Sequence, residues 1–423
     1  MSGPLAWYDD GLAHIWLPYS QMKTAPAPLP VVATAGTRLR LADGSTLIDG
    51  IGSWWVSAHG YNHQHIAEAV RAQLERMPHV MLGGLAHEQA FTLAARLADI
   101  LPGDLSRVFF SESGSVSVEI AMKIAIQYWL NQGEKARTRF VSFKGGYHGD
   151  TFATMAVCDP DEGMHTLFKG VLTEQHVVDL PQTDEGAQAF ARFLAARAPR
   201  IAAVILEPLI QGAGGMRVHD ANTVRAIARA CSDAGTLLIF DEIFTGFGRT
   251  GSLFACEQAG VVPDIITLSK ALTGGTLPLA ATVARKPVFE AFWSDRAEAA
   301  LMHGPTYMGN ALACAAANAS LDLFAKEPRL AQAQAIESEL KNGLGILEGE
   351  RGVAQIAVKG AMGAITFDHD VDALALRAHA LKRGVWLKPF GRTLYTTPAL
   401  VIEQSDLAKI IDAMVETARA NRN

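Results

Sequence analysis

Cysteine is scarce. Four thiols in 423 residues, Cys158, Cys231, Cys256 and Cys314, lie far apart with no Cys-x-x-Cys pair, which excludes a zinc knuckle and a disulfide framework and leaves reduced, structural thiols. Positive charge is also short: 37 Lys and Arg face 43 Asp and Glu, the formal net charge is -6, and no basic stretch is available to neutralise phosphates. Nucleic acid is therefore not an expected partner, and small metabolites are. Long apolar runs are missing too, since no segment approaches the roughly 18 apolar residues of a membrane span. Asp9 and Asp10 stand where a signal peptide needs an apolar run, so a cytoplasmic protein without membrane association is expected.

Two absent motifs limit the chemistry. No Gly-Lys dipeptide occurs, so the lysine-bearing loop of a P-loop ATPase is missing, although Leu237-Leu238-Ile239-Phe240-Asp241-Glu242 resembles the acidic strand end of one. Gly-x-Ser-x-Gly is absent, so no esterase-type nucleophile is indicated. His59, His63 and His65 have a spacing that a metal can use, but with no helical period or carboxylate partner they read as polar loop histidines, and no metal is expected.

With 49% hydrophobic positions the chain can bury a large core. β-type runs at Arg107-Phe110, Phe140-Phe143, Ile201-Leu206, Leu237-Phe240, Ile265-Leu268 and Leu279-Val283 alternate with helical ones, the pattern of an α/β fold with a mostly parallel sheet. Between the first two, Val116, Ile120, Ile124 and Tyr128 recur every four residues until Gly133, which predicts a crossover helix. Pro26, Pro28 and Pro30 mark an extended arm before Gly60. After about residue 320, helices are expected over Ala325-Leu347 and Val371-Arg383, around short strands near Ile356-Val358 and Ala364-Phe367. The expected division is an N-terminal arm over 1–60 contributing to a small domain, a large cofactor-binding domain over 61–320, and a small α+β domain over 321–423.

The chemistry-bearing pair is Asp241 and Lys270, each at the carboxyl end of a buried strand, where open α/β sheets hold ligands. Pyridoxal 5'-phosphate needs both groups: a lysine for a Schiff base with its aldehyde, and a carboxylate to keep its ring nitrogen protonated. Ser113-Gly114-Ser115, opening the helix after Arg107-Phe110, offers free amides and a positive dipole end to a phosphate, or else a plain N-cap serine. Thr306, in His303-Gly304-Pro305-Thr306, is a second hydroxyl candidate. Tyr147 follows Phe140-Phe143 through a glycine-rich turn, which places an aromatic ring where it can stack on a planar cofactor or simply pack. Gly246-Phe247-Gly248-Arg249-Thr250-Gly251 matches the dinucleotide fingerprint and leaves a nicotinamide enzyme formally open. Against it, the Asp241-Glu242 charge intervenes where a pyrophosphate approaches, and no apolar helix follows Gly251.

Taken together, Asp241-Glu242, Thr245-Gly246-Phe247-Gly248-Arg249-Thr250-Gly251 and Leu268-Ser269-Lys270-Ala271-Leu272-Thr273-Gly274-Gly275 resemble the signature of class III aminotransferases of fold type I. Trp16-Leu17-Pro18-Tyr19, Ser53-Trp54-Trp55, His59-Gly60-Tyr61-Asn62-His63, Gly145-Gly146-Tyr147-His148-Gly149-Asp150-Thr151 and His303-Gly304-Pro305-Thr306-Tyr307-Met308-Gly309-Asn310 resemble, more narrowly, the branch that moves an amino group from S-adenosyl-L-methionine to 8-amino-7-oxononanoate in biotin biosynthesis. The resemblance covers nearly the whole chain. It implies a fold type I transferase in which Lys270 carries the cofactor and moves the proton, Asp241 pairs with the ring nitrogen, and Gly114, Ser115, Pro305 and Thr306 hold the cofactor. It also implies a homodimer, with Thr306 arriving from the other subunit. Tyr147 is implied to stack on the cofactor and contact the substrate, with Tyr19, Trp54 and Gly304 lining the substrate channel and Asp150 near the substrate amine. Glu207, before Pro208, is expected near the cofactor without an assigned role.

One departure stands out. Where the family carries an arginine for the substrate carboxylate, Val385-Trp386-Leu387-Lys388-Pro389-Phe390-Gly391 puts Lys388, so the carboxylate falls to Lys388 or passes to Arg392. The amino donor, adenosylmethionine or lysine, is open at this point. So is another class III activity on an ω-amino acid or a diamine, and so is a non-enzymatic dimer that retains the fold.

Overall fold

Every residue of the strands Ile201–Leu206, Leu237–Asp241 and Ile265–Leu268 is buried. Such uninterrupted apolar runs are stable only in the middle of a sheet covered on both faces, and that is where the computed structural model, which describes residues 5–161 and 165–421, places them. They belong to a seven-stranded sheet in the order Leu105–Ser111, Ala280–Arg285, Ile265–Leu268, Leu237–Asp241, Ile201–Leu206, Arg139–Phe143 and His176–Val178. Ala280–Arg285 runs antiparallel to both neighbours and the other pairings are parallel, so the sheet is mostly parallel as expected. The short edge strand His176–Val178 escaped the sequence reading because it has only three residues, all partly exposed.

The crossover helix runs Gly114–Asn131, longer at its start than the periodicity alone suggested. Ser113 caps it by accepting a hydrogen bond from the Val116 amide, and Gly133, with φ of 88°, follows its end. Its apolar side, Val118, Ile120, Ala121, Ile124 and Ala125, is buried on the sheet. At roughly 1.5–3 kcal/mol per fully buried large aliphatic side chain, that face anchors the helix far more strongly than its cap does.

The expected arm is extended through the prolines but also carries a helix, Ala6–Leu12, and three strands, Val31–Ala35, Arg38–Leu41 and Thr46–Asp49. The last of these pairs in parallel with Val385–Trp386, with Ile48 opposite Val385 and Asp49 opposite Trp386. A second small sheet joins Val353–Lys359, Met362–Phe367 and Thr393–Thr396. The helix expected over Ala325-Leu347 runs Arg329–Gly345, and a separate helix, Ala311–Lys326, ends just before it because Pro328 at the junction has no amide to donate. The helix expected over Val371-Arg383 is Ala373–Leu381, capped by Asp372, and a terminal helix Gln404–Ala420 was not foreseen. Among the described residues no helix is long and apolar enough to cross a membrane.

Candidate active site

Sheet register brings the two charged groups together. Asp241 lies opposite Thr267 on the neighbouring parallel strand, and the chain reaches Lys270 three residues after Thr267, so both residues stand at the carboxyl ends of adjacent central strands. They line a cavity of about 200 Å³ together with Trp55, Gly114, Ser115 and Tyr147. Lys270 has a left-handed backbone, φ of 48°, and its Nζ sits 4.6 Å from the centroid of the Trp55 ring. Burial pushes the Lys270 pKa below the usual lysine value, opposed in part by the charges of Asp241, Glu207 and Asp150.

The carboxylate of Asp241 is oriented from three sides. His148 Nδ1 meets its Oδ2 at 2.9 Å, the Ile243 amide donates to Oδ1 at 3.1 Å, and the Thr267 hydroxyl lies 3.4 Å from Oδ1. Its sequence neighbour Glu242 serves a different end. Glu242 accepts from the amides of Ala255 and Cys256 at the start of the helix Ala255–Ala259, and burial there lifts its pKa to about 7. Gly246–Gly251 therefore belongs to a loop leading to a five-residue helix, without the long helix that a dinucleotide site needs.

Glu207 now has a structural role. Its carboxylate accepts from the Tyr147 amide at 3.0 Å and the Gly212 amide at 2.9 Å, clamping the turn that carries Tyr147, and burial lifts its own pKa to about 7. The Tyr147 hydroxyl donates to Asp150 at 2.8 Å, the Tyr19 hydroxyl donates to the other Asp150 oxygen, and His165 approaches from 3.3 Å. Burial raises the Asp150 pKa, but the hydrogen bonds from His165, Tyr19 and Tyr147 outweigh it and hold the carboxyl below its usual value. Burial and the bond to Asp150 push Tyr19 up to about 12. Gly149, with φ of 130°, has no alternative here: a Cβ on it would lie 2.4 Å from Ser115 Oγ.

Trp54 and Trp55 arrive on a strained segment. Ser53, Trp54 and Trp55 follow Gly52 with φ of 47°, 61° and 75°, a left-handed run costing roughly 1–2 kcal/mol per non-glycine residue. Asp49, buried, offsets that cost by accepting from the amides of Ile51 and Ser53 at 3.0 and 2.8 Å. The run turns one indole to Lys270 and the other to Lys388, whose Nζ lies 3.8 Å from the Trp54 ring centroid. Tyr19 packs edge-on against Trp54 at 6.1 Å. Burial, then Arg377, lowers the Lys388 pKa. Arg392 pairs instead with Asp370 at 2.8 Å on the surface.

Gly304, Pro305 and Thr306 do not line this cavity. Thr306 is exposed, and its carbonyl accepts from His79. The sequence reading assigned no role to His148 or Trp55. His148 stands beside Tyr147 in the same glycine-rich turn, which was a usable signal, whereas nothing local distinguishes Trp55 from a core tryptophan.

The sequence model of "Aminotransferase class-III" matches residues 19–418. The chain belongs to the class III aminotransferases. Members are enzymes that work with pyridoxal 5'-phosphate, and this cavity fits that group: a buried carboxylate, a lysine and the unpaired first amides of a helix share one wall set. The chain is 44% identical over 417 residues to the adenosylmethionine-8-amino-7-oxononanoate aminotransferase of Mycobacterium leprae, covering 96% of this chain and 95% of that one. The crystal structure of the enzyme of the same name from Methanocaldococcus jannaschii superposes with a TM-score of 0.93 at 32% identity, covering 98% and 99% of the two chains. A PLP-bound amine transaminase from an uncultivated Pseudomonas species gives 0.90 at 31% identity, covering 97% and 99%.

Proposed function

We propose that this aminotransferase moves the α-amino group of S-adenosyl-L-methionine to the ketone of 8-amino-7-oxononanoate, giving 7,8-diaminononanoate in biotin biosynthesis by a ping-pong route. The acceptor carries an ammonium beside its ketone and a carboxylate at the far end of its chain. One observation carries the reading: a carboxylate and an ammonium stand one residue behind the cavity wall, Asp150 hydrogen-bonded to the lining Tyr147 and Lys388 on the ring of Trp54, next in sequence to the lining Trp55. The similarity to the Mycobacterium leprae enzyme supports it.

Pyridoxal phosphate, when bound, supplies the aldehyde and the electron sink. The chain supplies the rest. Lys270 Nζ, with its lowered pKa, would be the base that takes the proton from the substrate's α carbon and the acid that gives it back. Asp241, fixed by His148 and the Ile243 amide, keeps the ring nitrogen protonated. The Gly114 and Ser115 amides would hold the phosphate, and Tyr147 would stack on the ring. Tyr19 and Trp54 flank the channel to the acceptor, and Gly304 reaches it from the second subunit.

Pro305 and Thr306 complete the phosphate site from the second subunit of a cytoplasmic homodimer. That reading is supported by their place outside the cavity of their own chain and by exposed apolar side chains nearby, Met302 at 75% and Tyr307 at 59%. The arm 1–60 completes the small domain built by 321–423, with 61–320 as the cofactor domain.

The deciding experiment is a half-reaction with single donors. Adenosylmethionine is expected to bleach the visible absorbance of the bound cofactor, and 8-amino-7-oxononanoate to restore it while 7,8-diaminononanoate forms. Bleaching by lysine but not by adenosylmethionine overturns the donor. Bleaching by ω-amino acids or diamines alone overturns the acceptor assignment as well.

A further inference from the structure

His59 is 3% exposed and engages both of its ring nitrogens. Nδ1 faces Arg329 Nε at 2.9 Å, and Nε2 faces Ser320 Oγ at 3.0 Å. A guanidinium only donates, so Nδ1 is the acceptor and the ring proton sits on Nε2. That proton goes to Ser320, which directs its own to the Ala271 carbonyl, 3.4 Å away. Arg329 thus sets the direction of the whole chain. It is itself 2% exposed and held by Glu327 at 2.6 Å and Gln332 at 2.9 Å.

Ala271 follows Lys270 in the turn Lys270–Thr273, and its carbonyl also accepts the Gly274 amide at 2.9 Å. A second contact reaches the same turn: a Cβ on Gly274 would lie 3.2 Å from His59 Cδ2, so the imidazole lies against the turn's end. Lys270 holds a left-handed φ of 48°, a conformation that persists only where its surroundings over-determine it. We propose that His59, oriented by Arg329 and acting through Ser320, is a positioning residue that fixes the backbone of the Lys270 turn. The proposal rests on the reading of Lys270 as the cofactor lysine. Burial, Arg329 and then His63 push His59 down to about 3, so the ring stays neutral as the chain requires.

The test is amide hydrogen exchange on the full chain without added cofactor, comparing it with Ser320→Ala, which removes the relay hydroxyl from a fully buried site without adding bulk. Exchange across residues 270–275 is expected to rise about tenfold while the central strands stay unchanged. The cofactor-loaded variant is expected to lose about tenfold in kcat with KM changed less than about twofold, because the lysine is misplaced and substrate contacts are not. Nitrogen NMR is expected to show His59 protonated at Nε2 and bare at Nδ1. Unchanged exchange over 270–275 in Ser320→Ala, or a proton on Nδ1, overturns the proposal. If the unmodified chain gains no visible absorbance with pyridoxal phosphate, the reading of Lys270 fails, while the exchange comparison still decides the chain from Arg329 to Ala271.

Discussion

Lys388 rests its ammonium on the face of Trp54, 3.8 Å from the ring centroid, although the two residues belong to opposite ends of the chain. The strand pairing of Thr46–Asp49 with Val385–Trp386 makes the contact. An indole face strengthens a cation's hold on its position while leaving its donors free for a carboxylate.

Removing that cation is expected to weaken the acceptor complex. Lys388→Ala should raise KM for 8-amino-7-oxononanoate about tenfold to a hundredfold, the loss of a charge-assisted contact of roughly 1.5–3 kcal/mol. Lys388→Arg should bind as well or better. Arg392→Ala should change little, since Arg392 is paired with Asp370. Steady-state kinetics of the three variants checks the assignment, and a KM effect confined to Arg392→Ala reverses it.

Asp241→Asn should keep the fold and lose transamination by several orders of magnitude, because an amide does not hold the ring nitrogen protonated. The His148 bond at 2.9 Å also loses its ionic partner. Activity and thermal unfolding measured together separate a chemical loss from a folding one, and near-normal turnover removes Asp241 from the ring-partner role.

The proposed completion of the site across subunits predicts complementation. Mixed Lys270→Ala and Thr306→Val dimers, after subunit exchange, should regain activity in about a quarter of all sites, the statistical share in which both wild-type residues meet. A fully active monomer at working concentration, seen by sedimentation, contradicts the shared site.

Acid stability should depend on His219. Its Nε2 accepts the Leu209 amide at 3.0 Å in a buried setting, and burial pushes its pKa from 6.5 to about 4. The fold thus prefers the neutral ring: its stabilisation is present above pH 6.5 and is lost as pH falls from 6.5 through 4, up to about 3 kcal/mol in all. His219→Gln keeps an acceptor without titrating, so urea unfolding at pH 5 and pH 7.5 should show a smaller acid loss for the variant. An equal loss in both proteins assigns the acid sensitivity elsewhere.

The sequence by itself determined the strands that carry Asp241 and Lys270, since runs such as Leu237-Leu238-Ile239-Phe240 are stable only in a covered sheet, and it determined the helix opened by Ser113. Local signals of period and capping are enough for these. It also marked Tyr147, Asp150 and Tyr19, which the fold brings into one hydrogen-bonded group. Only the tertiary structure decided the partners of those groups. His148 behind Asp241, the clamp of Glu207 on the Tyr147 turn, and the seats of Lys270 and Lys388 on two consecutive left-handed tryptophans all join residues far apart in the chain. Such contacts depend on strand register and on backbone strain compensated by buried Asp49, and neither leaves a periodic trace in the residues involved.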